Sequence, residues 1–264
     1  MINKMRALLG GLFALALTVS THAAYASPPR HMTIAAAADL RYALDTVIAT
    51  YHKTHPQDAI EVTYGSSGKL LAQIEQAAPF EMFFSADSEY PKQLVAAGAA
   101  SGDPVPYALG HIVIWSASVD ASKLTVADLA KPTFDHIAIA NPQHAPYGKR
   151  AEQALRAAGV WDAVQSRLVY GDNIAQTAQF IASGNAKVGI IAQSLALDPQ
   201  MAKKGSYALI PASLYQPLLQ SFVLTKRGAD NALAHDFAQY VQSAEARSVF
   251  SRFGFSLPST ATEH

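Results

Sequence analysis

Four short turns carry the residue types best suited to chemistry in this chain. They are Ala37-Ala38-Asp39-Leu40, Gly65-Ser66-Ser67-Gly68-Lys69, Ala145-Pro146-Tyr147-Gly148 and Gly171-Asp172-Asn173-Ile174. Each is rich in small, hydroxyl or amide residues, and each precedes an apolar pattern of helical spacing. A helix N-terminus exposes unpaired backbone N–H groups at the positive end of the helix dipole. Several such ends brought together bind an anion without a basic side chain. Glycine and alanine let a ligand approach the backbone closely, and serine and tyrosine hydroxyls add donors. A compact oxyanion, held and later released, is the ligand this chemistry suits. Taken singly, Asp39, Ser67 and Asn173 are ordinary N-cap residues and Tyr147 an ordinary packed aromatic; only their convergence in one architecture makes a site.

Other chemistries fit less well. Gly65-Ser66-Ser67-Gly68-Lys69 lacks the first glycine of a phosphate-binding P-loop, and Leu70 stands where that loop needs Ser or Thr. It does not match the Gly-x-Ser-x-Gly nucleophile elbow either. His52 and His55 have no carboxylate at zincin spacing and read as surface histidines. The chain has no cysteine, which excludes thiol nucleophiles, iron–sulfur clusters and thiolate zinc sites. An exported α/β hydrolase would need a base beside Ser67, and no histidine can be placed there from sequence.

The turns must be held by regular elements. Short apolar runs, and alternation at 59–64, predict strands at 32–37, 59–64, 82–85, 112–115, 136–140, 167–170, 188–192 and 222–225, separated by helices. Strands interleaved with helices imply mostly parallel sheets covered on both faces, with ligands at the carboxyl ends of the strands. Lys4 and Arg6, the apolar run Leu8–Val19 and Ala24-Tyr25-Ala26 read as a secretory signal peptide over residues 1–26. Its loss takes the net charge from zero to −2, so no basic face for nucleic acid is expected.

Longer stretches carry a resemblance. TIAAAADL (33–40), YGSSGKLLAQIEQAAPFEMFFSAD (64–87), APYGKRAEQAL (145–155), GDNIAQTAQFIASGNAKVGIIAQS (171–194) and ARSVFSRFGF (246–255) resemble, in the family's order, the periplasmic molybdate-binding proteins of the type II solute-binding fold. The resemblance implies an α/β protein of two lobes, each a mostly parallel sheet flanked by helices, with the ligand in the cleft between them. Residues 27–109 would form the first part of lobe I, 110–217 lobe II, and 218–264 the return to lobe I. It further implies a periplasmic, non-enzymatic monomer without a cofactor that captures molybdate or tungstate and hands it to the membrane permease of an ABC importer. By matched position, Ala38, Asp39, Ser67, Tyr147 and Ile174 would bind the oxyanion, with Ser66, Gly68 and Asn173 supporting the turns. A fold-related carrier of another small oxyanion or an organic acid is the alternative, although none of the four turns holds the arginine an organic acid favours.

Two departures stand out. Where many members carry serine, threonine or asparagine after the alanine run, this chain has Ala38-Asp39. An ionised carboxylate aimed at a dianion is repulsive, so Asp39 turns away as a cap, is protonated, or signals another ligand; the cap is favoured here. One branch places a tyrosine near the strand VGIIA, where this chain has Ala192. The Tyr147 hydroxyl is the expected compensation from across the cleft.

Overall fold

Two five-stranded sheets organise the chain in this computed structural model, which describes residues 29–258; the predicted signal peptide lies outside the described residues. In chain order the strands are β1 (His31–Ala37), β2 (Ala59–Gly65), β3 (Met82–Ser85), β4 (Ala100–Gly110), β5 (Ile112–Ser116), β6 (Ile137–Ala140), β7 (Leu168–Gly171), β8 (Val188–Ala192), β9 (Ser206–Leu209) and β10 (Leu218–Thr225). The first sheet runs β2-β1-β3-β10-β4 and the second β7-β6-β8-β5-β9. In each, three strands pair in parallel, and one antiparallel strand, β10 or β5, joins an edge strand to them.

Burial follows the pleat. Along β1, Met32, Ile34 and Ala36 pack on one face with Leu44, Val47, Phe237 and Phe250, while Ala35 packs on the other with Phe83, Val223 and Leu70. A strand buried on both faces must be apolar throughout, which is why MTIAAA has no alternation. At the sheet edge, β2 alternates between exposed and half-buried positions. The second sheet buries β5, β6 and β8 completely, around Trp115. Each large side chain so buried contributes roughly 1.5–3 kcal/mol.

Helices α1 (Arg41–Tyr51), α2 (Ser67–Glu75) and α3 (Glu89–Ala96) follow β1, β2 and β3. The second lobe carries α4 (Pro146–Ala157), α5 (Trp161–Val164), α6 (Ile174–Ala182), α7 (Gln193–Ala196) and α8 (Pro199–Ala202). After β10, α9 (Ala232–Val241) and α10 (Ala244–Arg252) pack back on the first sheet. The chain passes between sheets twice. His111 alone separates β4 from β5, and β10 begins at Leu218, which pairs with Gly110. The two crossings therefore lie side by side, an arrangement suited to a hinge.

Residue patterning alone predicts no strand at β4 or β9 and starts β10 four residues late, although the resemblance implies crossover strands near 107–111 and 217–222. Pro104 and Pro106 argue against a strand, yet β4 sits at the sheet edge, where a missing N–H costs no ladder bond. Residues Val126–Ala130 form a 3-10 turn begun by a Thr125/Asp128 capping box.

Candidate functional site

The carboxyl ends of β1, β2, β6 and β7 meet where the two sheets face each other. Their turns enclose a small cavity, walled by Ala37, Ala38, Asp39, Gly65, Ser66, Ser67, Ala86, Ala145, Pro146, Tyr147 and Ile174. Apart from Gly65, all of these residues are buried. The five predicted ligand-binding residues thus line one space, drawn from both lobes. Of the supporting residues, Ser66 is in the wall, whereas Gly68 and Asn173 stand behind it.

The donors follow from how each helix begins. Asn173 caps α6, its Oδ1 accepting from the amides of Ala175 and Gln176, both at 3.0 Å. That leaves the Ile174 N–H as the first-turn donor with no partner from the cap. At α2, the cap position is Ser66 and Ser67 is the first helical residue. The Ser67 hydroxyl accepts from the Ala86 N–H at 3.1 Å, so its own proton is available to donate. In α4, Pro146 occupies the first position and has no N–H, which makes Tyr147 the first amide of that helix.

Asp39 does not act as a cap, contrary to the expectation. It sits inside a three-residue 3-10 turn whose cap position is Ala37. Its Oδ2 instead accepts from the Tyr147 hydroxyl at 2.9 Å and from Gln220 Nε2 at 2.7 Å. Gln220 Nε2 also donates to the Tyr147 hydroxyl at 3.1 Å, and its Oε1 accepts from the Tyr107 hydroxyl at 2.7 Å. Two fixed donors on Oδ2 hold the carboxyl more firmly than so short a turn can. The single Tyr147 hydroxyl proton is therefore directed at Asp39, and the compensating hydroxyl expected from Tyr147 is already engaged. Gly110 makes room for this network: a Cβ there would lie 2.4 Å from the Tyr147 hydroxyl.

Burial pushes the Asp39 carboxyl up to about 6, against the downward pull of the Gln220 and Tyr147 bonds. The hydroxyls of Tyr107 and Tyr147 are pushed well above the usual tyrosine value, first by burial and then by the neighbouring Asp39. Asp39 Oδ1 is buried and has no hydrogen-bond partner.

Contacts between the lobes close the rim. The Gly68 N–H donates to the His144 carbonyl at 2.9 Å, and Lys69 pairs with Asp172. Ser194 donates to the Asp39 carbonyl at 2.8 Å. Arg150, buried in α4, pairs with Asp87 at 2.9 Å and donates to the carbonyls of Gln216 and Pro217 at 2.9 and 3.2 Å. The Ser66 hydroxyl lies 2.9 Å from His144 Nδ1. With Asp172 this has the composition of a catalytic triad, but His144 Nε2 is 3.8 Å from a carboxylate already paired with Lys69. The serine and histidine also come from opposite lobes, so opening separates them. Among the described residues, no group of three or more His, Asp or Glu is arranged to hold a bare metal cation.

Gln220, Tyr107, Ser194 and His144 were not foreseen. Gln220 had a readable signal, a polar residue interrupting the apolar strand LLQSFVLT. Ser194 and His144 have no sequence signal, because their partners are 155 and 78 residues away.

The profile of the bacterial extracellular solute-binding protein family matches residues 32–256. A molybdate-binding protein of Azotobacter vinelandii is 34% identical over 235 residues, covering 89% of this chain and 93% of the relative. That of Rhodobacter capsulatus is 36% identical over 198 residues, 74% of this chain and 77% of the relative. The solved structure of the Azotobacter vinelandii periplasmic molybdate-binding protein superposes with a TM-score of 0.79 at 32% identity, covering 86% of this chain and 99% of that one.

Proposed function

From the premise that this chain belongs to the bacterial extracellular solute-binding proteins, we propose that it captures molybdate, or the similar tungstate, and delivers it to an ABC importer. The observation that carries the reading is the buried cavity at three helix N-termini, two from one lobe and one from the other, with no lysine or arginine in its wall. The amides of Ser67, Tyr147 and Ile174, the Ser67 hydroxyl, and the amides of Ala38 and Asp39 are the donors. Helix dipoles stabilise the negative charge, and neutral donors avoid a charge pair too tight to release. Ser66, Gly68 and Asn173 hold the turns in place. Selectivity rests on cavity size and fixed donor geometry, since sulfate has the same charge and is smaller.

The protein performs no covalent chemistry in this reading. It acts in the periplasm as a monomer, exported by its signal peptide, and the closed two-lobed form docks on the permease. The test is thermal unfolding of the mature protein with each anion. A ligand that binds only the folded state raises the midpoint in proportion to ln(1 + [L]/Kd). Molybdate and tungstate raise it, sulfate and phosphate do not, and Ser67→Ala reduces the shift. No shift with molybdate at millimolar concentration contradicts the reading.

A further inference from the structure

The wall of the cavity holds one carboxyl group, and its two oxygens are unequal. Asp39 Oδ2 takes both donors, from Tyr147 and Gln220, while Oδ1 is buried and unpartnered. No cation offsets it from the elements packed around it. The helices α6 and α7 carry no titratable side chain. On α1, Arg41 stands over the Tyr64 ring at 5.1 Å and Asp45 accepts from the Tyr64 hydroxyl. On α4, Lys149 lies over the Tyr90 ring and Arg150 is committed to Asp87. Facing the carboxyl are the Tyr147 hydroxyl, the Gln220 amide and its own backbone N–H, with the neutral Tyr107 hydroxyl behind Gln220. At the rim, Lys69 is paired with Asp172 and His144 bonds Ser66. An oxyanion in this cavity would lie beside a carboxylate with one unpartnered oxygen, in a place that excludes water, where repulsion between like charges is least screened.

One proton removes the conflict. We propose that Asp39 takes up a proton as the lobes close on the anion, so that its Oδ1–H becomes a further donor to the ligand and capture is linked to pH. The inference rests on the oxyanion reading of the cavity. Its balance is simple: open protein with ionised Asp39, one anion and one proton from solvent give the closed, loaded protein. The unliganded closed site already points this way, because burial holds Asp39 near 6, and a dianion alongside raises it further. In the open form the carboxyl is hydrated and returns towards its ordinary value. Affinity therefore falls by up to about tenfold per pH unit while the loaded Asp39 stays protonated and the open one ionised.

The experiment is calorimetric titration with molybdate at pH 6.5 in two buffers of different ionisation enthalpy, followed by a pH series from 6 to 8. The wild-type protein is expected to take up more than half a proton per anion and to lose affinity several-fold per unit. The Asp39→Asn variant is expected to bind with no uptake and a flat pH profile, while His144→Gln, which removes the histidine at the rim, keeps the uptake. Infrared difference spectra give an independent reading: a protonated-carboxyl band appears on binding in the wild type and is missing in Asp39→Asn. Wild-type binding without uptake, or uptake that vanishes with His144 and survives Asp39→Asn, overturns the proposal and leaves the molybdate reading intact. Absence of binding by the wild type at every pH overturns that reading, and the proposal with it.

Discussion

Gly68 is where a single methyl group should separate closing from folding. Its N–H donates to the His144 carbonyl across the cleft, and a Cβ at this position would lie 2.8 Å from that oxygen and 3.1 Å from His144 Cα and Cβ. All these contacts belong to the opposite lobe. Within its own lobe, Gly68 is the second residue of α2, where alanine is favoured over glycine by about 0.5 kcal/mol. Gly68→Ala therefore leaves the open lobe intact or slightly stabilised and penalises only the closed form. Losing the hydrogen bond costs about 1 kcal/mol, and relieving the overlap at least about 1 kcal/mol more. The sum, about 2 kcal/mol, weakens anion binding roughly 30-fold. Calorimetry gives the affinity, and the thermal midpoint of the ligand-free protein gives the stability. An affinity within threefold of wild type would refute the argument that these lobes must meet this closely to hold the anion.

Arg150→Met should lower stability by about 3 kcal/mol in denaturant unfolding, because it strips Asp87 of its buried partner and frees the carbonyls of Gln216 and Pro217. Lys69→Ala, by contrast, removes an ion pair that is half exposed on both sides. It should change affinity less than threefold, and the difference should disappear in 0.5 M salt. Burial pushes the Glu81 carboxyl up, but bonds from the Thr33 hydroxyl and amide and from Arg227 outweigh it and hold it below the ordinary glutamate value. A carboxyl depressed in the folded state contributes stability that is present above its unfolded value and is lost as pH falls through the folded one. Glu81→Gln should accordingly be less stable than wild type at pH 7, with the gap closing towards pH 3 in urea titrations.

Much of the site was legible because its parts are local. Each of the four turns follows a strand and opens a helix, and the same short segments show where the amides of Ser67, Tyr147 and Ile174 are presented. Asn173 could be read as a cap because capping is decided within three residues. Asp39 could not, since its fate depends on Tyr147 and Gln220, which are 108 and 181 residues away. Burying those partners beside it turns an expected cap into the end of a hydrogen-bond network. The fold follows the same division. Strands buried on both faces, such as β5 and β8, announce themselves as apolar runs. The edge strand β4, with two prolines and Gly102, is a strand only because β10 lies beside it.

Fixed neutral donors at three helix ends are proposed to select a molybdate-sized dianion. Calorimetric titration of the purified, ligand-stripped mature protein with molybdate, tungstate, sulfate and phosphate at one pH tests it most directly. Tight 1:1 binding of molybdate and tungstate is expected, with no measurable heat from sulfate or phosphate. Equal binding of sulfate, or no binding of either metal oxyanion, would contradict it.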